Sequence, residues 1–137
     1  MEIKRYGRTG RPFSILLLDL DGLKKINDAY GHVTGSRALC RIAEVLRSHC
    51  REVDTPARYG GDEFALILPE TPLEQACQVA ERISQRLAND PEAPRISASM
   101  GVAEYPNDGH TIEQILCAAD EALYTEKHKR PSSLATR

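Results

Sequence analysis

The sequence predicts an α+β domain: a central mixed, mainly antiparallel sheet flanked by helices, in the order β-α-α-β-β-α-β-α. Three observations point there. Phe13 to Leu18 is an unbroken apolar run, as in a strand covered on both faces. Leu39, Ile42, Ala43 and Leu46 recur at the spacing of one buried helix face. Gly60-Gly61 lies between two short strand-forming stretches, the pattern of a hairpin turn. No repeat, low-complexity run or internal linker interrupts the chain, and a sheet with helices packed on it buries these faces.

In chain order, residues 1–12 are basic, carry Gly7, Gly10 and Pro12, and read as a lead-in from an upstream region. The domain itself is expected over 13–130. The first strand ends in Asp19-Leu20-Asp21-Gly22. A short helix over Leu23 to Ala29 stops at Gly31. The next helix covers 36–50, and Val53 to Pro56 breaks it. Ala57 to Tyr59 and Glu63 to Leu68 form the hairpin strands. Thr71 caps a helix that begins at Pro72, and Glu74 reaches back to complete a capping box. Ala76, Val79, Ile83 and Leu87 form the inner face of that helix, and Asn89 to Pro94 ends it. Ile96 to Val102 is the last strand. Thr111 and Gln114 make a second capping box ahead of Ile112, Ile115, Leu116, Ala119 and Leu123. Pro131 to Arg137 is a frayed tail.

Composition narrows the function classes. The 137 residues are 41% hydrophobic and 28% charged, enough apolar material for one packed core. Eighteen basic and 20 acidic residues give a formal charge of −2, which argues against nucleic-acid binding by bulk charge. A small anionic ligand held by a few placed groups stays open. The longest purely aliphatic run, Ile15 to Leu18, falls far short of the roughly 20 residues that span a bilayer. This domain is expected to make no direct membrane contact, although a longer parent protein could be attached to one. No signal peptide follows Met1, so a cytoplasmic location is expected. Cys40, Cys50, Cys77 and Cys117 show no metal-ligand spacing and read as small apolar residues of a reduced core.

Two motifs carry chemistry. Asp19 and Asp21 stand two apart at a strand end, where extended backbone puts both on one side. Close carboxylates repel, and a hard cation relieves the repulsion. The plain alternative is a solvated turn. An EF-hand would need Gly and an acid where Lys24 and Tyr30 stand. A phosphatase of the D-x-D-G-T kind would need Thr where Leu23 stands. The second motif is Gly60-Gly61-Asp62-Glu63-Phe64. Its glycines let backbone N–H groups approach a phosphate, and its acids can hold a neutralising metal. The plain alternative is a hairpin whose acids face water. Together the motifs suggest metal-assisted phosphoryl transfer.

Further landmarks join them. Asp19-Leu20-Asp21-x-x-Lys24-x-x-Asn27-Asp28-x-Tyr30-Gly31-His32 is followed by Arg58-Tyr59-Gly60-Gly61-Asp62-Glu63-Phe64. Ser99-Met100-Gly101-Val102 and Ala118-Ala119-Asp120-x-Ala122-Leu123-Tyr124-x-x-Lys127 come later. In this order and spacing they resemble the GGDEF domain family, the diguanylate cyclases, from about Arg11 to Lys127. The resemblance implies a nucleotide-cyclase or polymerase-palm-like fold and condensation of two GTP molecules into cyclic di-GMP with release of pyrophosphate. It implies a homodimer in which each domain presents one nucleotide to the other. By the same resemblance Asp19, the Leu20 carbonyl and Asp62 hold Mg²⁺ or Mn²⁺, and Asp62 and Glu63 are the catalytic acids. Lys24, Gly60, Gly61 and Lys127 lie along the phosphates. Asn27, His32 and position 36 surround base and ribose. Arg51 and Asp54 resemble the family's R-x-x-D inhibitory product site for cyclic di-GMP, with Arg82 as helper. The alternative function is a catalytically silent GGDEF-like receptor for nucleotide or cyclic di-GMP.

Two departures stand out. The family reads x-x-Gly-Asp after Gly-His, whereas this chain reads Val33-Thr34-Gly35-Ser36. That Asp accepts from guanine's Watson–Crick edge; a serine hydroxyl both donates and accepts, and so tolerates adenine N1. The change resembles the hybrid promiscuous (hypr) subset, which makes 3′,3′-cyclic GMP-AMP, so ATP joins GTP as an expected substrate. The plainer outcome is weakened GTP binding alone. The family's Lys-x-x-Gly-Arg-Asn is replaced by Lys127-His128-Lys129-Arg130-Pro131, leaving Arg130 one residue out of step as a phosphate ligand.

Overall fold

The structure, a computed structural model, describes residues 10–58 and 60–135, with side chains as far as His128. The elements are β1 (Phe13–Leu20), α1 (Leu23–Tyr30), α2 (His32–Ser48), β2 (Thr55–Arg58), β3 (Glu63–Leu68), α3 (Leu73–Ala88), β4 (Ala98–Tyr105) and α4 (Ile112–Ala135). This is the expected α+β order. The four strands lie in the sequence β2-β3-β1-β4, and all three pairings are antiparallel.

All eight residues of β1 are buried, which explains its unbroken apolar run. Alternate side chains serve opposite faces. Leu16, Leu18 and Leu20 enter a core with residues of α1, α2 and α3, including Ile26, Ile42 and Ile83. Phe13, Ile15 and Leu17 enter a second core with Ile115, Ala119 and Leu123 of α4. Each such side chain contributes roughly 1.5–3 kcal/mol when removed from water. A one-residue slip would exchange the two faces, so the register is strongly specified. That register sets Asp19 opposite Glu63. On the other side of β1, Gly101 lets α4 approach β4: a Cβ there would stand 2.2 Å from the Ala119 carbonyl oxygen and 2.3 Å from Leu123 N.

Several boundaries differ from the sequence reading. Helix α2 begins at His32, four residues early, and takes in Gly35. Strand β2 includes Pro56, which is tolerated because β2 is an edge strand. Strand β4 starts and ends later than expected because Ala103, Glu104 and Tyr105 continue the ladder with Ile15, Ser14 and Phe13. Thr71 does not cap α3. Its hydroxyl donates to the Pro69 carbonyl at 2.9 Å, and the Leu73 N–H donates instead to Glu104 Oε2 at 2.7 Å. Thr111 does accept from the Gln114 N–H, at 3.1 Å, while Gln114 Oε1 reaches the N–H of His110. Helix α4 continues past Pro131 into the expected tail. The cysteines are not core residues: Cys40, Cys77 and Cys117 are exposed and only Cys50 is partly buried, on the rim of the first core. Residues 1–9 of the lead-in, and Tyr59, lie outside the described residues.

Candidate active site

Antiparallel pairing of β1 with β3 brings together motifs more than 40 residues apart. Asp19 is the last acid of β1 and pairs with Glu63, the first residue of β3. Asp62 precedes β3, and its carbonyl accepts from the Leu20 N–H at 3.2 Å. The Gly60 N–H donates to the Glu63 carbonyl at 3.2 Å, closing the hairpin. Glu63 Oε1 lies 2.9 Å from where a Cβ on residue 60 would sit, so that glycine makes room for the carboxylate.

Asp19 is buried and its Oδ2 binds Lys127 Nζ of α4 at 2.8 Å. Burial raises the Asp19 pKa above the usual carboxylate value. The Lys127 hydrogen bond and charge oppose this, and the nearby Asp62 carboxylate adds to it. Burial alone would lower the Lys127 pKa, but the bond to Asp19 and the charges of Asp19, Asp21 and Asp62 raise it, so the side chain stays an ammonium. Asp19 Oδ1 is buried and has no hydrogen-bond partner among the described residues. The Asp21 side chain is tied to two serines. Its carboxylate accepts from Ser99 at 2.7 Å and Ser97 at 2.8 Å, two bonds that only the β1–β4 pairing brings about.

Among the described residues no three His, Cys, Asp or Glu side chains form a metal-ligand group. The donors at hand are two carboxylates, Asp19 and Asp62, with the adjacent Leu20 carbonyl. An orphaned buried oxygen beside a second carboxylate fits a hard cation. Mg²⁺ commonly uses one or two carboxylates and takes its other ligands from water and substrate phosphates.

Beside this centre, a cavity of about 390 Å³ opens between α2 and the β2–β3 hairpin, lined by Ser36, Leu39, Cys40, Ala57, Arg58 and Phe64 among others. Ser36 is therefore a wall of a largely apolar cavity. Lys24, Asn27 and His32 do not line it. Lys24 and His32 are exposed, and Asn27 packs on Gly35, where an added Cβ would overlap its Oδ1 at 1.8 Å.

A second cavity, about 420 Å³, gathers Arg51, Asp54 and Arg82 with His49 and Gln78. Arg51 Nη2 donates to Asp54 Oδ1 at 2.8 Å, to the Pro69 carbonyl at 2.9 Å and to Thr71 Oγ1 at 2.8 Å. The hydrogen bonds to Asp54 raise the Arg51 pKa further. Sequence reading found these residues but missed what surrounds them. Neither Ser97 and Ser99 on Asp21, nor Thr71 on Arg51, nor the contact of Arg58 with the Gly-Gly turn leaves a local signal.

Residues 1–133 match the model of the family described as diguanylate cyclase, GGDEF domain. The chain is 42% identical over 124 residues to the bifunctional diguanylate cyclase/cyclic di-GMP phosphodiesterase MucR of Pseudomonas aeruginosa, covering 88% of this chain and 18% of that protein. It is similar to the solved active GGEEF domain of a diguanylate cyclase from Vibrio cholerae, with TM-score 0.87 and 34% identity over 93% of this chain and 84% of that one. It also resembles the GGDEF domain of DgcB from Caulobacter crescentus in complex with c-di-GMP, with TM-score 0.83, 28% identity, and coverage of 92% and 78%. No helix among the described residues is long and apolar enough to cross a membrane.

Proposed function

Because the chain belongs to the GGDEF family of diguanylate cyclases, we propose that it condenses two purine nucleoside triphosphates into a 3′,3′-cyclic dinucleotide and releases pyrophosphate. GTP gives cyclic di-GMP. The observation that carries the reading is the convergence of Asp19 and Asp62 beside the Gly60-Gly61 turn. Asp19, the Leu20 carbonyl and Asp62 hold Mg²⁺ or Mn²⁺. When bound, the metal lowers the pKa of the attacking hydroxyl and offsets charge on the leaving pyrophosphate. Glu63 orients the 3′-hydroxyl of one nucleotide and takes its proton. The new bond joins that oxygen to the α-phosphorus of the other nucleotide, and the bond to pyrophosphate breaks. Gly60, Gly61, Lys24 and Lys127 bind the phosphates. Lys127 exchanges its contact with Asp19 for an anionic phosphate oxygen. Asn27, His32 and Ser36 surround base and ribose. One domain presents one nucleotide, so ring closure needs a homodimer. GTP is a cytoplasmic metabolite, and the domain works there.

Ser36 widens the substrate class. The carboxylate that reads guanine is absent, and the hydroxyl at the cavity wall serves either purine. ATP and GTP together then give cyclic GMP-AMP beside cyclic di-GMP. The Arg51, Asp54 and Arg82 cavity binds cyclic di-GMP as a feedback inhibitor, since the guanidinium fork suits phosphate and guanine edges.

The test incubates the protein with GTP, ATP and Mg²⁺ at concentrations spanning its dimerisation and resolves the products by mass. Both cyclic dinucleotides are expected. Cyclic di-GMP alone rejects the mixed product. Nucleotide binding by a dimer without pyrophosphate release rejects the cyclase and leaves a receptor.

A further inference from the structure

Arg58 ends β2, is exposed, and has no role in the reading above. Its Nη2 donates to the Gly61 carbonyl at 2.5 Å and its Nε to the Gly60 carbonyl at 3.4 Å. The guanidinium carbon stands 5.9 Å from the centroid of the Phe64 ring, so β3 backs the group that spans the turn. The same side chain lines the cavity that holds Ser36. One residue thus touches both the base cavity and the phosphate turn.

The backbone consequence follows from peptide geometry. In a trans peptide the carbonyl of one residue and the N–H of the next point in opposite directions. The turn has trans bonds, since the cis peptides among the described residues are Ala93-Pro94 and Tyr105-Pro106. Drawing the carbonyls of Gly60 and Gly61 toward Arg58 therefore turns the N–H groups of Gly61 and Asp62 to the far side. Neither N–H has a hydrogen-bond partner among the described residues. A Cβ on Gly61 would meet nothing within 4 Å among the described residues, so no packing against Gly61 competes with Arg58 for control of its peptide. Successive free N–H groups form an anion-binding concavity. Glycines alone would let both peptides rotate, at an entropic cost on binding.

We propose that Arg58 is a positioning residue: its guanidinium holds the Gly60 and Gly61 carbonyls so that the next two N–H groups are preset for a nucleoside triphosphate. The inference rests on the nucleotide reading of the same site. It requires a fork. Lysine, a point charge, caps one carbonyl and leaves the other free.

The test uses Arg58→Ala and Arg58→Lys in the full chain. Backbone order of Gly60 and Gly61 is measured by ¹⁵N relaxation without ligand, and affinities are measured for a non-hydrolysable GTP analogue and for guanosine. In Arg58→Ala the order parameter of the ligand-free turn is expected to fall below about 0.6. Affinity for the triphosphate should fall about tenfold, with guanosine affinity unchanged. Arg58→Lys should lie between, and added methylguanidinium should recover part of the loss in Arg58→Ala. An unchanged ligand-free turn with weaker triphosphate binding assigns Arg58 to direct ligand contact and overturns the proposal. So does equal loss of guanosine, which marks a general structural role, or triphosphate affinity equal to wild type. A wild-type chain that binds the analogue yet makes no cyclic dinucleotide from GTP undoes the cyclase reading and leaves this inference standing.

Discussion

Lys127 reaches from α4 to Asp19 on β1, its Nζ 2.8 Å from Oδ2. A helix packed on one face of the sheet thus supplies a cation to an acid at the sheet's end. The ammonium occupies an oxygen that a divalent ion would also use. Lys127→Met should therefore bind Mn²⁺ alone more tightly than wild type, while its affinity for a triphosphate falls about tenfold for the lost charge-assisted bond. Titration of Mn²⁺ by electron paramagnetic resonance, with and without a non-hydrolysable nucleotide, separates the two effects. Asp19→Asn should lose more than about 100-fold in turnover, beyond the 10–100-fold typical of residues that only support a metal ligand.

Ser36→Asp should restore guanine preference. A carboxylate regains bonds of roughly 1.5–3 kcal/mol each to the guanine edge, so the ratio of GTP to ATP incorporation should rise about 10- to 100-fold. Competition between the two nucleotides in one reaction, read as product masses, gives the ratio directly.

Arg82→Ala and Arg51→Ala should separate inhibition from stability. Arg82 is an exposed residue of α3, and its loss should raise the cyclic di-GMP concentration for half-inhibition about tenfold with little change in melting temperature. Arg51→Ala should also relieve inhibition, but it strips the Asp54 carboxylate, 2% exposed, of the guanidinium bonds and leaves it the residue-51 N–H. A cost of about 1–3 kcal/mol in unfolding free energy is expected.

Asp90 links acidity to stability away from the active site. The Glu92 N–H donates to its Oδ1 at 3.0 Å and the buried Arg41 to its Oδ2 at 3.2 Å, and these bonds hold its pKa below the ordinary 3.8. A depressed carboxylate stabilises the fold at pH values above 3.8 and loses that effect as pH falls through the folded-state value. Asp90→Asn should cost about 1–3 kcal/mol near neutral pH, and the difference from wild type should shrink as the pH is taken progressively below 3.8. Denaturant melts at neutral and at acid pH measure it.

Gly101→Ala should destabilise by more than the 1–3 kcal/mol usual for overpacking. The added carbon meets backbone atoms of Ala119 and Leu123, which cannot turn aside as a side chain would. Loss of α4 helicity before global unfolding, seen by amide exchange, would show that the β4–α4 contact gives way first.

The sequence made β1 and the hairpin legible because their signals are local: an unbroken apolar run and two adjacent glycines. The convergence of Asp19 with Asp62 was legible only through the order and spacing of the family's landmarks. No periodicity states that β1 pairs with β3. Boundaries failed where tertiary bonds replaced local ones. Thr71 carries every mark of a cap, yet Glu104, 33 residues on, takes the helix N–H through Leu73. The end of β4 was misplaced because its partner is β1, far back in the chain. Asp21 beside Asp19 suggested a shared cation, and its bonds to Ser97, just ahead of β4, and to Ser99 of β4 have no local signal.

Ser36 stands on an exposed turn of α2, whereas Asp19 and Glu63 are fixed in a paired ladder. Residue 36 can thus be exchanged without disturbing any strand. Under the proposed function, one surface replacement at position 36 would change which purine is accepted and leave the ladder that carries the acids intact.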